Sequence, residues 1–209
     1  MVINKTLYII GAGGHGKVVA DIAKKNKYQN IYFLDDHCVG KIGDYQIVGT
    51  SNDIRRLCQE NENACFFVAV GNNEIREKIY LMLKNIYATI PSLIHPSAVI
   101  DESVVIEEGT VVMANVVINA SSKIGKGCII NTSASIDHDN VIADFVHISP
   151  GAHLAGTVTI GSCSWIGIGC NVINNISISN NVILGAGTTL ISNVDKPGKY
   201  VGLPLRRLD

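Results

Sequence analysis

The 209-residue chain carries six histidines, at positions 15, 37, 95, 138, 147 and 153, and one stands in a setting suited to proton transfer. His138 lies in Ile136-Asp-His-Asp-Asn140, flanked by two carboxylates in a stretch otherwise poor in charge. A carboxylate bonded to one ring N–H fixes the tautomer and raises the basicity of the other nitrogen, which makes a general base. Asp139 is the expected partner and Asp137 the alternative, although side-chain alternation along an extended segment would point Asp137 away from His138. The competing reading is an exposed strand-edge histidine with solvated neighbours.

A second constellation is Gly11-Ala-Gly-Gly-His-Gly16, between an apolar run, Thr6–Ile10, and a helical stretch, 17–25. Glycines there let backbone N–H groups and a helix N-terminus approach phosphate oxygens closely. An acid, Asp35, follows Gly16 by 19 residues, at the end of a second strand (31–34), with Asp36 beside it. Helices are expected at 52–59 and 74–83, with Val18, Val19, Ile22 and Ala23 on the apolar face of the first helix. A third strand, 65–70, ends at Gly71-Asn72. The whole reads as a βαβαβ half-Rossmann unit with a parallel sheet. Gly13, Gly14, His15, Gly16, Asp35, Asp36, Gly71 and Asn72 are its candidate ligand residues. A nucleotide-linked ligand, NAD and a purely structural turn all satisfy this pattern, although only one dinucleotide half fits before residue 94.

From Ile94 onward the spacing changes. Steps of six meet a large aliphatic at all seventeen positions from Ile94 to Leu190. Four residues after each lies a small or β-branched residue, from Ala98 and Val104 to Thr188, with Asn140 the polar exception. Neither 3.6 nor 2.0 residues per turn yields this period, whereas short strands and bends wound into a parallel β-helix do. A β-sandwich with chance periodicity would not hold register seventeen times. One 18-residue coil beyond His138 lies Gly156, about 4.8 Å along the axis. Its small size is expected to leave a backbone N–H open as an oxyanion donor, unless a bend requires the glycine.

The repeat also explains the composition. Of 35 charged residues, 20 lie in residues 1–93, and none lies between Phe145 and Val194. A net charge of −1 argues against nucleic-acid binding. Polar residues interrupt the neutral stretch too often for a membrane-spanning helix. The first residues lack the apolar segment of a signal peptide, and six scattered cysteines read as reduced, which together predict a cytoplasmic protein without a metal site.

The motif in Ile124-Gly-Lys-Gly-Cys-Ile, Ile160-Gly-Ser-Cys-Ser-Trp and Leu184-Gly-Ala-Gly-Thr-Thr resembles the hexapeptide-repeat acyltransferases. That resemblance implies a left-handed helix with three hexads per coil and homotrimers binding acetyl-CoA between subunits. The handedness comes from the resemblance alone, since general rules favour right-handed crossovers. Adding the GxGGHG loop and Asp35-Asp36, the chain resembles the NeuD/PglD family of bacterial sugar O- and N-acetyltransferases. The division so implied is a nucleotide-sugar-binding domain (1–93), an acetyltransferase β-helix (94–194) and a tail (195–209). The family's catalytic pair is His followed by Glu or Asp, which His138-Asp139 matches. The resemblance further assigns His147, Gly156 and Ile168 to acetyl-CoA, with a structural corner as the other reading of His147. His15 would face the pyrophosphate or sugar, while His37 and His153 read as surface residues and His95-Pro96 as structural. The closing Val201-Gly-Leu-Pro-Leu-Arg-Arg207 departs from the family at Leu205, where Ala is usual; Arg206 and Arg207 would meet CoA phosphates or solvent.

The expected reaction is N-acetylation of a UDP- or dTDP-linked 4-amino-4,6-dideoxy sugar, with acetyl-CoA as co-substrate and no bound cofactor. O-acetylation of sialic acid or another sugar hydroxyl uses the same geometry and stays open. A nucleotide-binding scaffold without catalysis is the third reading.

Overall fold

The computed structural model describes residues 5–202 and the backbone of 206–207. The chain divides between Leu93 and Ile94 into two compact units.

In the first unit, β1 (Thr6–Ile10) is buried along its whole length, as a strand covered on both faces requires. It pairs in parallel with β2 (Asn30–Leu34) on one side and β5 (Ala64–Val68) on the other. Helix α1 (Gly14–Lys25) joins β1 to β2, α2 (Ile54–Glu60) precedes β5 and α3 (Asn73–Asn85) follows it. The sheet is mixed rather than purely parallel, in the order β3-β4-β2-β1-β5. The extra strands β3 (Gly40–Ile42) and β4 (Tyr45–Gly49) form an antiparallel hairpin whose two-residue turn, Gly43-Asp44, has Gly43 at φ 57°. That Gly-Asp pair was the available signal for them. The buried face of α1 also differs from expectation: Gly16, Val19, Ala20, Ile22 and Ala23 are covered, while Val18 is exposed.

The second unit is a left-handed parallel β-helix of strands mostly two residues long, on three faces. Partners lie 18 residues apart, as in Ile118↔Ile136 and Ile136↔Leu154. Each periodic aliphatic from Val112 to Leu190 is buried, whereas Ile100 and Ile106 on the opening coil are only partly covered. Burying such a side chain contributes about 1.5–3 kcal/mol, so the stacked rows supply the main stabilisation of this unit.

The bends obey the same period. From Gly109 to Gly187 every sixth residue has a positive φ, whether glycine or not. Nine of these fourteen are Asn, Ser, Asp, Phe, Thr or Cys, each paying about 1–2 kcal/mol for the left-handed conformation. The corner N–H donates to the preceding coil in return, as Asp139 does to the Ala120 carbonyl and Thr157 to that of His138.

No helix among the described residues is long and apolar enough to cross a membrane, and the six cysteines are unpaired. Leu205 and the side chains of Arg206 and Arg207 lie outside the described residues.

Candidate active site

His138 and Asp139 occupy the corner between Ser135–Ile136 and Val141–Ile142. Asp139 holds the left-handed position (φ 58°), a conformation that a short polar side chain tolerates better than most. From there its Oδ2 lies 2.8 Å from His138 Nδ1. Both side chains are more than half exposed, at 56% and 57%. The Asp139 bond raises the His138 pKa above its ordinary value; partial desolvation opposes the rise, and the Asp137 and Asp139 charges add to it.

Asp137 is turned to other work. Its Oδ1 accepts the His138 backbone N–H (2.9 Å) and the Asn119 amide (2.9 Å). Those two donors, the Asn119 amide first, hold its carboxyl below the usual range. With Nδ1–H given to Asp139, Nε2 is the nitrogen left to take a proton.

Gly156 lies beside this ring. Its φ is not positive, so no bend requires glycine. A Cβ at this position would stand 2.5 Å from His138 Cε1 and 2.6 Å from Nε2, so the glycine makes room for the imidazole itself. The residue is buried beneath the ring instead of facing open space. Its N–H nonetheless donates to no group among the described residues.

His147 belongs to a different face, in the strand His147–Ile148. It is buried, stacked on Trp165 with ring centroids 5.2 Å apart, and its Nε2 lies 3.1 Å from the Asn131 amide. The Trp165 indole N–H donates to Ser149 Oγ at 2.7 Å. Ile168 is 60% exposed on the turn that follows Trp165–Ile166. His153, placed on the surface from sequence, is exposed and hydrogen-bonds through Nδ1 to Ser135 Oγ (2.8 Å).

In the first unit the glycines sort by what surrounds them. Gly11 has φ +107° and packs against the Ala69 carbonyl, while a Cβ on Gly16 would run into the Gly11 carbonyl oxygen and Phe33. Both are needed for the strand–helix junction, so packing by itself accounts for the glycine at position 16. Gly13, Gly14 and Gly71 differ. None has a positive φ and a Cβ on any of them would meet nothing within 4 Å, so the chain itself gives no reason for glycine there. Gly13 caps α1 without a side-chain bond, leaving the helix N-terminus open.

The acids are more occupied than the sequence suggested. Asp35 accepts the backbone N–H groups of Ala12 (2.7 Å), His37 (2.9 Å) and Cys38 (2.9 Å). Burial pushes its carboxyl up, but these donors outweigh it and hold the pKa below the ordinary value. Asp35 therefore ties the glycine loop to the end of β2. Exposed Asp36 takes the Ser51 N–H (2.7 Å) and hydroxyl (3.0 Å). Asn72 caps α3, its Oδ1 accepting the Ile75 N–H at 3.0 Å.

Two hollows flank this loop. One, of about 510 Å³, is lined by Asp35, Asp36, Ser51, Val70, Ile75 and Lys78 at the carboxyl ends of the strands, where open α/β sheets bind ligands. The other, of about 470 Å³, is lined by Gly13, Gly14, Lys17, Cys38 and Lys41. The lysines were missed because scattered single lysines carry no spacing signal. Also missed was Arg76, wholly buried in α3, which donates to the Val70 and Gly71 carbonyls (3.0 and 3.2 Å) and to Asn73 Oδ1 (2.8 Å). His15 Nε2 is enclosed without a hydrogen-bond partner among the described residues. Burial, and then the Arg76 guanidinium, push its pKa down to about 4, so His15 is neutral at pH 7. No group of His, Cys, Asp or Glu is arranged to hold a metal among the described residues.

Comparison with known proteins covers both units. Residues 6–83 match the model of the PglD N-terminal domain. The chain is 37% identical over 112 residues (53% of its length) to UDP-N-acetylbacillosamine N-acetyltransferase of Bacillus subtilis strain 168. It spans 52% of that enzyme's length and 24% of another curated relative's. The acetyltransferase domain of PglB from Neisseria gonorrhoeae FA1090, solved with acetyl coenzyme A, superposes with TM-score 0.93 at 39% identity, covering 99% of this chain and 100% of that one. PerB from Caulobacter crescentus, solved with CoA and GDP-perosamine, gives TM-score 0.94 at 32% identity, covering 99% of both chains.

Proposed function

Since the chain belongs to the NeuD/PglD family of sugar acetyltransferases, we propose that it moves the acetyl group of acetyl-CoA onto the amine of a nucleotide-linked amino sugar. The observation that carries this is the His138–Asp139 pair, 2.8 Å apart over Gly156, in a wall otherwise nearly free of charge.

The steps follow from the donors and acceptors. The neutral amine attacks the thioester carbonyl directly, and Nε2 of His138 takes the proton the new C–N bond displaces. Asp139, accepting from Nδ1, stabilises the imidazolium. Charge develops on the carbonyl oxygen, for which the uncommitted Gly156 N–H is the assigned donor. When the C–S bond breaks, the CoA thiolate takes the proton from Nε2, and His138 returns to its neutral form. No acyl-enzyme is required, since no serine or cysteine is paired with His138 among the described residues.

In this reading the first unit holds the nucleotide. The helix α1 N-terminus, the open backbone at Gly13 and Gly14, and Lys17 and Lys41 suit a pyrophosphate. Neutral His15 and the exposed Gly71-Asn72 turn are assigned to the same ligand. Asp36 keeps lone pairs for a ribose or base, whereas Asp35 serves by holding the loop. Ile168 is assigned to the pantetheine arm, and His147, with little exposed surface, contributes an edge at most. A homotrimer with sites between subunits and a cytoplasmic location complete the proposal; the neutral flat faces suit packing against copies of the chain.

CoA release measured with a panel of UDP-, dTDP- and GDP-linked amino sugars, beside sialic acid, tests the reading. Turnover with an amino sugar supports it. Turnover with sialic acid alone would move the assignment to O-acetylation, and none with any acceptor would favour a scaffold. GDP joins the panel because the PerB structure contains GDP-perosamine.

A further inference from the structure

The second inward row of the β-helix shows how its coils are tied. Thr110 Oγ1 donates to the Gly125 carbonyl (2.7 Å) and accepts the Cys128 N–H (3.0 Å). Ser164 Oγ donates to Ser179 O (2.9 Å) and accepts from Val182 N–H (3.1 Å). Each hydroxyl thus joins a carbonyl 15 residues on to an N–H 18 residues on.

Asn140, fully buried, makes the same bridge: Nδ2 donates to Ala155 O (3.0 Å) and Oδ1 accepts the Val158 N–H (3.2 Å). Its amide then does more. Nδ2 also reaches the carbonyls of Asp137 (2.7 Å) and His138 (3.2 Å), in the turn that carries the base. The hydroxyls at Thr110 and Ser164, with one hydrogen each, lack a donor for this. Asp137 O is held a second time by Ser122 Oγ (2.8 Å).

We propose that Asn140 is a positioning residue for acetyl transfer: its amide clamps the carbonyls on both sides of His138 and so keeps Asp139 left-handed, with its carboxylate at Nδ1. The proposal rests on the acetyltransferase reading. Among the described residues the titratable groups facing the ring are Asp139 and Asp137, and Ala120 and Gly156, one coil to either side, carry no charge.

Asn140→Ser isolates the clamp, because serine keeps the coil bridge and loses the reach back to the turn. We expect it to fold, with kcat down by about tenfold or more and KM for both substrates nearly unchanged. The acidic limb of its pH profile should move to lower pH as His138 loses its fixed partner. Thr110→Val, which removes two bonds on a coil that carries none of the assigned residues, should lower thermal stability and leave kcat and that limb alone. Wild-type kcat with a wild-type limb in Asn140→Ser would overturn the proposal. Should that variant not fold, Asn140→Thr takes its place, since Thr110 in the same row makes the coil bridge with its single hydroxyl. An NMR titration of the His138 ring reads the clamp without turnover. A wild-type protein inert toward every acceptor defeats the acetyltransferase reading, while an unchanged His138 titration in the variant defeats the clamp.

Discussion

The imidazole of His138 lies across the α-carbon of Gly156, so that a methyl group there would stand 2.5–2.6 Å from its Cε1 and Nε2 atoms. Gly156→Ala forces the ring off that position, while its backbone conformation is open to alanine. We expect a folded protein with CoA release reduced by about 10²-fold or more, because a small misplacement at the reacting centre is costly. An alanine variant of near wild-type rate would show that the ring need not lie there.

His138→Ala should lower CoA release by about 10²–10⁴-fold, the usual contribution of a general base. A loss within about tenfold of wild type would remove His138 from that role.

The Asp139 bond raises the His138 pKa. The neutral ring is the active form, so kcat/KM should fall as pH drops through a pKa above 6.5, the ordinary value for histidine. Asp139→Asn should shift this acidic limb to lower pH and reduce the plateau rate, since the tautomer is no longer fixed and the remaining nitrogen is less basic. A pH profile that coincides with wild type would refute the partnership.

His15 gives the opposite sign. Its folded pKa, about 4, lies below the ordinary 6.5. As pH falls from about 6.5 to 4 the unfolded chain takes up this proton and the folded chain does not, so stability declines across that window and not further below it. His15→Gln should flatten the decline in urea midpoints. An unchanged slope would place the acid sensitivity elsewhere.

Asp35→Ala should cost about 1–3 kcal/mol, because three loop N–H groups lose their acceptor. Gly14→Ala, in contrast, should leave the melting temperature nearly unchanged and raise the KM for the nucleotide sugar. Were Gly14→Ala to unfold the protein instead, its glycine would be structural.

Much of this was legible in the sequence because it is periodic. A six-residue step carried through seventeen positions leaves one architecture, and every periodic aliphatic from Val112 to Leu190 is inside it. The glycine loop was readable because it joins a buried strand to a helix, and His138-Asp139 because charge is scarce around it. The hairpin β3–β4 was missed, since its three-residue first strand is too short to show alternation. Arg76 was missed because one charged residue in a helix says nothing of burial.

Sequence alone therefore determined the β-helix, the half-Rossmann unit and the identity of the candidate base, all of which rest on local order along the chain. Tertiary structure decided what the polar groups are free to do. It committed Asp35 and Asn72 to backbone N–H groups, made Gly16 a packing residue and put the His138 ring where Gly156 has no side chain. It also tied the polar exception, Asn140, to the carbonyls of Asp137 and His138. The physical reason is that a hydrogen bond or a steric vacancy belongs to a pair of residues, and in a coil of 18 those pairs meet only once the chain has wound.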